Sequence, residues 1–403
     1  MVNFVVAIRT SGRIDTSSTA IEIAKTLEAP VYIFCPLKEM SKYRALYKDD
    51  EQIKIKAGSS QGLNHAHDKV VNFFNIGQRI VIFDDDVSDF VELDEDNKFV
   101  KADLLKYCIE GFKLCDENNF KLFGFYPVKN AYFMKDRPLI DKGLSFIVGG
   151  LHGIVNDKSM RPKGEFGYSE DYEKCIINYI KYGGAIRFNK ARHINKLYTN
   201  KGGLQDHRTT DSMIEDREKI VEAYPQYCRL KKESKSKYPE IKIINKPYTI
   251  ENHLLANFKN MGWMENTSRP NVSGVNPKYD VRPKNRAGNP CYSYTLGFIK
   301  LRCAKSDDLV ISALTKRFDF LYGLLKRYIH KIDPTFKFTG ITLNKNICCL
   351  PHTDKYNQSK SYIVALGDYT GGHLFIEDED KKVVKHNINN KPLLFSGKNT
   401  HWN

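Results

Sequence analysis

Three consecutive aspartates, Asp84, Asp85 and Asp86, follow directly on the apolar run Arg79–Phe83, which is typical of a buried strand. Because ligands of open α/β sheets gather at the carboxyl ends of strands, we expect the triplet to lie at a binding crevice. Clustered carboxylates repel one another, and a divalent cation that also carries a diphosphate would neutralise them. The triplet therefore predicts a metal and phosphate site, with an acidic turn that binds nothing as the alternative.

Two arginines upstream of the triplet have side chains suited to the same ligand. Arg9 and Arg13 follow the apolar run Phe4–Ile8, and a guanidinium suits phosphate or carboxylate recognition. Asn64 lies in a glycine-containing segment that begins a predicted helix. An arginine pair exposed at the surface is the alternative for Arg9 and Arg13.

A basic, glycine-containing segment follows about a hundred residues later. It includes Lys201, Gly202, Gly203 and His207, and such a loop can close over a diphosphate. We expect His207 to be the third metal ligand beside the aspartates, with His193 as the second choice. Either histidine could instead be structural.

An acidic pair, Glu170 and Asp171, opens a predicted helix over Tyr172–Tyr182 that ends at a Gly-Gly pair. A carboxylate at this position often only caps the helix. A carboxylate can also remove the proton from an acceptor hydroxyl. The sequence leaves capping and catalysis equally open.

Taken together, the motifs Arg-Thr-Ser-Gly-Arg, Phe-Asp-Asp-Asp-Val and Lys-Gly-Gly-Leu resemble those of GT-A-fold nucleotide-sugar glycosyltransferases. They look most like the glycosyltransferases associated with Tet/J-binding-protein oxygenases, whose relatives include the enzyme that glucosylates hydroxymethyluracil to make base J. The resemblance covers roughly residues 1–225. It implies a UDP-sugar donor and Mn²⁺ or Mg²⁺ held at an Asp-x-Asp motif. The donor-binding residues it implies are Arg9, Arg13, Asn64, Asp84, Asp85, Lys201, Gly202 and Gly203, the metal ligands are Asp84, Asp86 and His207, and the catalytic residues are Asp171 and Glu170.

A second constellation lies near the other end of the sequence. His352 and Asp354 are followed 47 residues later by His401, and short apolar runs separate them. Two imidazoles and one carboxylate form the facial triad of non-haem Fe(II) oxygenases. In such a triad the opposite face of the metal stays open for 2-oxoglutarate and oxygen. The pattern predicts an iron site in a β-rich domain.

The sequence around this triad, over roughly residues 290–403, resembles that of the Tet/J-binding-protein oxygenases, whose iron motif is His-x-Asp-x-x-Asn. The resemblance implies a double-stranded β-helix, Fe(II) with 2-oxoglutarate, and a role for Asn357 in contacting a flipped-out target base. In that family a basic residue beyond the second histidine binds 2-oxoglutarate. The sequence stops at Asn403. We therefore expect a C-terminally incomplete domain whose oxygenase activity is open.

The composition of the 403 residues, 41% hydrophobic and 28% charged, excludes a disordered chain, a collagen, a coiled coil and a small disulfide scaffold. The net charge is +15, and residues 246–403 carry +11 of it, with 24 Lys and Arg against 13 Asp and Glu. This excess predicts DNA as a partner, although charge that only confers solubility is the alternative.

Nine cysteines without Cys-x-x-Cys spacing indicate reduced thiols. The sequence contains neither a signal-peptide pattern nor an apolar run that could cross a bilayer. We expect an intracellular protein, in the cytoplasm, the nucleus or a viral infection compartment, that is not secreted and has no membrane partner.

The predicted secondary structure that must position these residues changes along the chain. Strand and helix signals alternate over the first 90 residues, which predicts a mostly parallel α/β sheet. Another strand is predicted at Leu144–Val148, an amphipathic helix at Leu309–His330, and short strands beyond it. We expect three segments: a Rossmann-like GT-A domain over 1–228, a Lys-rich linker over 229–246, and a jelly-roll oxygenase domain over 247–403.

These features favour a DNA-modifying enzyme of two parts. The C-terminal part would hydroxylate the methyl group of thymine or 5-methylcytosine, and the N-terminal part would add a sugar to the new hydroxyl. One alternative is a protein-modifying enzyme like the lysyl hydroxylases that carry a glycosyltransferase domain. Another is a glycosyltransferase joined to a catalytically inactive, DNA-binding oxygenase-like module.

Overall fold

The chain divides into two units, Met1–Thr249 and Ile250–Asn403. The structure is a computed structural model, and it describes residues 2–158, 167–195, 209–231, 240–264, 290–300, 309–354, 357 and 359–403. His207, Lys201, Gly202 and Gly203 lie outside the described residues.

The first unit contains a large mixed sheet with helices on both faces, in a Rossmann-like arrangement. Its strands are β1 Val5–Arg9, β2 Val31–Cys35, β3 Ile53–Ala57, β4 Arg79–Asp84, β5 Val87–Leu93, β6 Phe99–Lys101, β7 Leu122–Phe125, β8 Ile140–Leu144, β9 Leu151–Val155, β10 Ala185–Phe188, β11 Ala191–Asn195, β12 Cys228–Leu230, β13 Ile241–Ile243 and β14 Lys246–Pro247. Its helices are α1 Ser18–Lys25, α2 Met40–Leu46, α3 Leu63–Phe73, α4 Leu104–Asn118, α5 Ala131–Met134, α6 Glu170–Tyr182 and α7 Thr210–Ala223, with a short 3₁₀ helix at Leu37–Glu39. The nine-stranded sheet has the order β14-β8-β10-β7-β9-β4-β1-β2-β3.

Strands β1 to β4 run parallel, as the alternation of the first 90 residues predicts. The sheet as a whole is mixed rather than mostly parallel, because β9 runs antiparallel to β4 and β7, and β8 antiparallel to β10. Side chains of β1 point alternately to two cores: Val6 and Ile8 pack with residues of α1 and α4, and Ala7 packs with residues of α3 and α6. The sheet is therefore buried on both faces.

The prediction of a strand at Leu144–Val148 is wrong, because β8 ends at Leu144 and β9 begins only at Leu151. The run is apolar because it is buried, not because it pairs with a neighbouring strand. Leu144 and Ile147 lie in the core, and the Ile147 amide donates to the Cys175 sulfur at 3.3 Å instead of to a strand.

The segment predicted as a linker carries ordered elements of the first unit. Strand β12 pairs with β13, and β14 pairs with β8 of the large sheet. Ile241 and Ile243 alternate with Lys242, so that the isoleucines enter the core while the lysine stays exposed. This alternation, which the lysine-rich composition conceals, is what makes the segment a strand.

The second unit combines two long helices with small sheets. Its elements are α8 Ile250–Asn260, β15 Tyr292–Lys300, β16 Leu309–Ile311, α9 Ala313–Arg317, α10 Asp319–Ile332, β17 Gly340–Lys345, β18 Ser361–Ile363, β19 Leu374–Glu377, β20 Val383–His386, β21 Leu393–Phe395 and β22 His401–Trp402. The sheets are β16-β15-β17, β18-β21 and β20-β19-β22, and a double-stranded β-helix is not shown by them.

The helix predicted at Leu309–His330 is interrupted. Leu309–Ile311 pairs with β15, and Ser312 then caps α9 by accepting from the Leu314 amide at 3.3 Å. A core formed by α8, α10, β15 and β17 buries Leu324 and Leu296 completely. Within the described ranges, none of the helices has the length and apolarity that a membrane crossing needs.

Candidate active site and candidate metal centre

The carboxyl ends of β1 and β4 lie next to each other at the point where the strand order of the sheet reverses. Strands β2 and β3 extend the sheet on one side of β1, and β4 lies on the other side. Such a topological switch point leaves a crevice in which α/β proteins bind ligands. Arg9 ends β1 and Asp84 ends β4, and the two residues are partners in register.

A buried guanidinium occupies this switch point. Arg9 donates to Asp84 Oδ1 from Nε at 3.1 Å and from Nη2 at 2.6 Å, and Nη2 also donates to the Gly149 carbonyl at 3.2 Å. Arg9 is 4% exposed, whereas the Asp84 side chain keeps 25% of its surface accessible. Burial would lower the pKa of Arg9, but the charges of Asp84 and Glu170 outweigh it and raise that pKa. The arginine is therefore a permanent cation beneath a partly open carboxylate.

The other two aspartates occupy the turn between β4 and β5. Arg13 Nη1 lies 2.7 Å from Asp85 Oδ1 and 3.9 Å from Asp86 Oδ2. Asn195 of β11 donates to Asp86 Oδ1 at 2.9 Å. Five predicted donor-binding or metal-binding residues thus lie together: Arg9, Arg13, Asp84, Asp85 and Asp86.

Buried polar groups hold the loop that carries Arg13 in place. The Gly12 amide donates to both carboxylate oxygens of Glu39 at 3.1 Å. The hydroxyl of Tyr43 lies 3.1 Å from the Thr10 hydroxyl and 3.2 Å from the Ser17 hydroxyl. These contacts fix the backbone between β1 and α1 and so fix the position of Arg13.

The acidic pair at the start of α6 reaches the same crevice. Glu170 is buried, and its Oε1 lies 3.8 Å from Arg9 Nη1. Burial, together with the charge of Glu170, raises the pKa of Asp171 to about 7. Burial likewise raises the pKa of Asp84 to about 7, against the opposing effect of Arg9. Ser169, at the N-cap position, makes no capping hydrogen bond with its side chain.

Two glycines that the sequence analysis did not single out lie in the middle of this cluster. A side chain at Gly149 would meet Glu170 Oε1 at 3.2 Å, and one at Gly150 would meet Asn195 Nδ2 at 2.6 Å and His193 Nε2 at 2.8 Å. The Gly149–Gly150 turn therefore has to lack side chains for α6, β11 and Arg9 to approach one another.

A buried lysine and histidine lie beneath the acidic pair. Lys174, one turn along α6, has its Nζ 3.0 Å from His152 Nε2, and His152 Nδ1 lies 2.9 Å from the Gly149 carbonyl. Burial and the charge of Lys174 lower the pKa of His152 well below its usual value, so the imidazole is neutral. The Nδ1 hydrogen is then donated to Gly149, and Nε2 accepts from Lys174. Sequence reasoning missed both residues.

Two further predicted residues that the structure describes, Asn64 and His193, are buried. Asn64 lies in the first turn of α3 and is 7% exposed. His193, the second choice as metal ligand, is also buried, and burial lowers its pKa to about 3. Its Nδ1 has no hydrogen-bond partner among the described residues. A neutral imidazole of this kind is in the protonation state that metal ligation requires.

The aspartate triplet suits a hard divalent cation in its chemistry. Asp84 Oδ2 accepts no hydrogen bond from the described residues, and oxygen ligands are those that Mg²⁺ and Mn²⁺ prefer. Burial and the neighbouring Asp85 raise the pKa of Asp86, which shows how costly the accumulated negative charge is. Arg9, Arg13 and Asn195 supply part of the compensation.

The second unit brings the predicted iron ligands together. Candidate donor atoms of His352, Asp354 and His401 all lie within 4.8 Å of one another. The two imidazole centroids are 4.3 Å apart, and His401 Nε2 lies 3.9 Å from Asp354 Oδ2. An antiparallel bridge between His352 and His401 holds the rings side by side. This is the one three-ligand grouping of His, Cys, Asp and Glu within the described part of the chain.

Backbone carbonyls orient both imidazoles. His352 Nδ1 lies 2.7 Å from the Leu350 carbonyl, and His401 Nδ1 lies 2.8 Å from the Asn399 carbonyl. An Nδ1–H donated in this way leaves Nε2 as the ligand atom, the arrangement that protein metal sites use. His401 is buried and Asp354 is partly exposed, so the grouping opens to one side.

Asn357 contacts the carboxylate of this grouping. Its Nδ2 donates to Asp354 Oδ2 at 3.2 Å and to the Ser361 hydroxyl at 3.0 Å. A side chain at Gly397 would meet Asn357 Nδ2 at 2.7 Å, so Gly397 leaves room for this contact. The geometry thus gives Asn357 a role in orienting Asp354, beside the base contact that the sequence predicts.

No protein-family model matches this sequence, and no curated protein is similar to it. Among solved structures, the chain is similar to UDP-glucose pyrophosphorylase complexed with UDP-glucose, with 9% identity, 55% of this chain and 100% of that chain covered, and a TM-score of 0.32. It is also similar to 4-diphosphocytidyl-2C-methyl-D-erythritol synthase from Anaerococcus prevotii, with 12% identity, coverage of 64% and 98%, and a TM-score of 0.24. At these TM-scores neither likeness assigns an activity to the chain.

Proposed function

We propose that the first unit is a metal-dependent glycosyltransferase that uses a nucleotide sugar, and that its acceptor is a hydroxylated base in DNA. The second unit would be a Tet/J-binding-protein-like oxygenase module that produces this hydroxyl from the methyl group of thymine or 5-methylcytosine. The two activities are chemically complementary, because oxidation creates the acceptor that glycosyl transfer consumes.

One observation carries the transferase assignment: Arg9 and Asp84 face each other at the switch point of the sheet, with Glu170 beside them. A crevice at this place suits a nucleotide. Asp84 and Asp86 would hold Mn²⁺ or Mg²⁺, which would neutralise the diphosphate of the donor. Arg9 and Arg13 keep the carboxylates in position and add positive charge.

Asp171 is our choice for the base. A general base works best when its pKa lies near the operating pH, and the pKa of Asp171 is raised to about 7. In the transfer step the acceptor oxygen forms a bond to the anomeric carbon. The bond from that carbon to the diphosphate breaks, the acceptor proton passes to the Asp171 carboxylate, and the nucleoside diphosphate leaves. Glu170, which forms an ion pair with Arg9, is the second candidate for the base.

The oxygenase part of the proposal is supported by the triad in the second unit. His352, Asp354 and His401 would hold Fe(II), which with 2-oxoglutarate and O₂ would supply the oxidising chemistry: one oxygen atom would enter the methyl group and the other the succinate that forms with loss of CO₂. Asn357 keeps the Asp354 carboxylate turned toward the histidines. The positive charge of residues 246–403 would attract the phosphate backbone of DNA.

The test is product analysis with the full chain. DNA containing 5-hydroxymethyluracil or 5-hydroxymethylcytosine is incubated with Mn²⁺ and a set of UDP-sugars, and the nucleosides are analysed by mass spectrometry. A hexose-bearing nucleoside is the expected product. Asp84→Asn should abolish it, whereas Asp89→Asn, which removes an exposed carboxylate of the adjacent strand, should not. Transfer to hydroxylysine peptides but not to DNA would refute the DNA acceptor.

The oxygenase part is tested separately with DNA containing thymine or 5-methylcytosine, Fe(II) and 2-oxoglutarate. Succinate and hydroxymethylated nucleosides are expected from the full chain and not from His352→Gln, with His386→Gln as the control variant. Tight metal and DNA binding without succinate would support the inactive-module alternative instead.

A further inference from the structure

A groove of about 620 Å³ in the first unit has five cations along its walls. They are Arg137, Arg187, Arg229, Lys231 and Lys242. None of the described residues that line the groove is acidic. This concentration of positive charge contrasts with the first 245 residues as a whole, which carry only +4. The volume lies in the range of protein ligand sites.

Two pairs of like charges face one another in this groove. Arg229 of β12 and Lys242 of β13 are partners in register, and like charges placed opposite each other on neighbouring strands are destabilising. Arg137 and Arg187 both lie 5.2 Å from the centroid of the Tyr126 ring. Burial and, further, the charge of Arg137 lower the pKa of Arg187. An anion in the groove would relieve both repulsions.

Among the described residues, acidic partners compensate two of the five cations. Asp141 pairs with Arg187 at 2.6 Å, and Glu240 pairs with Lys231. The Arg137 Nε donates to the uncharged Tyr126 hydroxyl and Phe133 carbonyl, both at 3.0 Å. Arg137, Arg229 and Lys242 have no acidic partner within the described ranges, and their three positive charges can attract a ligand.

An aromatic residue lies on the same wall. Phe146 lines the groove and stacks on Tyr172, with ring centroids 4.2 Å apart and planes inclined by 17°. Tyr172 follows Asp171 directly in α6. A basic groove with an aromatic ring on its wall is the combination that proteins use to bind single strands of nucleic acid, with phosphates on cations and a base on the ring.

We propose that this groove binds a single-stranded or locally unpaired segment of nucleic acid, with its phosphates at Arg229, Lys242 and Arg137 and a base against Phe146. The placement of the strand next to Asp171 rests on the proposed function. The binding itself does not, because it requires neither a metal nor a nucleotide sugar.

The experiment measures binding of a fluorescein-labelled 12-nucleotide DNA strand to the full chain by anisotropy, without metal or nucleotide sugar, from 50 to 300 mM salt. The double variant Arg229→Gln/Lys242→Gln should bind at least tenfold more weakly at 100 mM salt. Its slope of log K against log salt should be shallower by about 1.4, since each phosphate contact to a single strand contributes roughly 0.7. The matched control Lys101→Gln/Lys106→Gln removes two exposed charges elsewhere in the first unit and should leave both quantities unchanged.

A second variant tests the ring without changing charge. Phe146→Leu keeps an apolar side chain against Tyr172 but removes the stacking surface, so the strand should bind roughly fivefold or more weakly with an unchanged salt slope. Thermal unfolding curves like those of the unmodified chain are required of every variant. Equal losses in the groove variant and its control, or displacement of the strand by polyglutamate at equal charge concentration, would overturn the proposal.

This outcome is separable from that of the proposed function. If strand binding fails in the groove variant while UDP-sugar binding persists, the groove proposal holds and the transferase assignment is untouched. If the strand binds through the groove but no UDP-sugar binds, the groove proposal stands and the transferase assignment falls.

Discussion

Removal of the guanidinium at the switch point is the sharpest structural perturbation available. Arg9→Met deletes the partner of Asp84 and the cation nearest to Glu170, and it fills most of the same volume with apolar atoms. The substitution leaves two carboxylates in a buried crevice without their cation. We expect the first unit to lose stability chiefly through this uncompensated charge.

The magnitude follows from the burial of the pair. Breaking a buried ion pair by removing one partner costs about 3–5 kcal/mol. Because a quarter of the Asp84 side chain is accessible to water, we expect the lower end, about 3 kcal/mol. The double variant Arg9→Met/Asp84→Asn should recover about 1–2 kcal/mol, since residues in contact couple by this order.

The loss should depend on pH in a defined direction. The pKa of Asp84 is raised in the fold to about 7, so its contribution to stability is present at low pH and is lost as the pH rises through 7. Without Arg9 this pKa moves higher still, because the charge that favoured the ionised form is gone. The stability difference between Arg9→Met and the unmodified chain should therefore be largest above pH 7 and shrink toward pH 5.

The two units can be followed separately. Trp263 and Trp402 both belong to the second unit, so tryptophan fluorescence during urea unfolding reports that unit. Hydrogen exchange of peptides that contain β1 and β4 reports the first unit. A loss below about 1 kcal/mol, or one that is the same at pH 5 and pH 8, would refute this account of the Arg9–Asp84 pair.

Three further predictions concern activity and metal binding. If Asp171 is the base, the transfer rate measured with saturating donor should rise with pH through about 7. Lys174→Met should shift this rise to higher pH, because the substitution removes a cation that lowers the pKa of Asp171. A rise at the same pH in Lys174→Met would contradict the assignment. Gly150→Ala should weaken Mn²⁺ binding, measured by calorimetry, at least tenfold through its clash with the side chains beside the aspartates, whereas Gly167→Ala, with open space around it, should not. Asn357→Ala should weaken Co²⁺ binding to the second unit, followed by its absorption spectrum, about 10- to 100-fold through loss of the hydrogen bond that orients the ligating carboxylate; unaltered affinity would leave Asn357 only the base contact.

Local patterns made part of the first unit predictable. An apolar run followed by charged residues marks a strand and its carboxyl end, which is how Arg9 and the triplet beginning at Asp84 were found. Their proximity across 75 residues follows from the rule that ligands gather at such ends. In the second unit a different pattern, His-x-Asp followed by a distant histidine, predicted that His352, Asp354 and His401 form one group.

What the sequence could not reveal depends on contacts between distant residues of ordinary type. Gly150 matters only because Asn195 and His193 approach it from another strand. Lys174 appears as one more helix residue until His152 is placed against it. Sequence patterns also gave wrong predictions where a segment is buried without pairing as a strand, or pairs as a strand despite a polar composition. The apolar run after β8 is the first case, and the lysine-rich segment that contains β13 is the second.

The most direct test of the central claim is calorimetric titration of the full chain with UDP-sugars, with and without Mn²⁺. The account predicts that a UDP-sugar binds, that binding requires Mn²⁺, and that Asp84→Asn weakens it at least tenfold while Asp89→Asn leaves it unchanged. Binding of equal strength to Asp84→Asn, or no binding of any UDP-sugar by the unmodified chain, would contradict the assignment of the crevice between β1 and β4 as a nucleotide-sugar site.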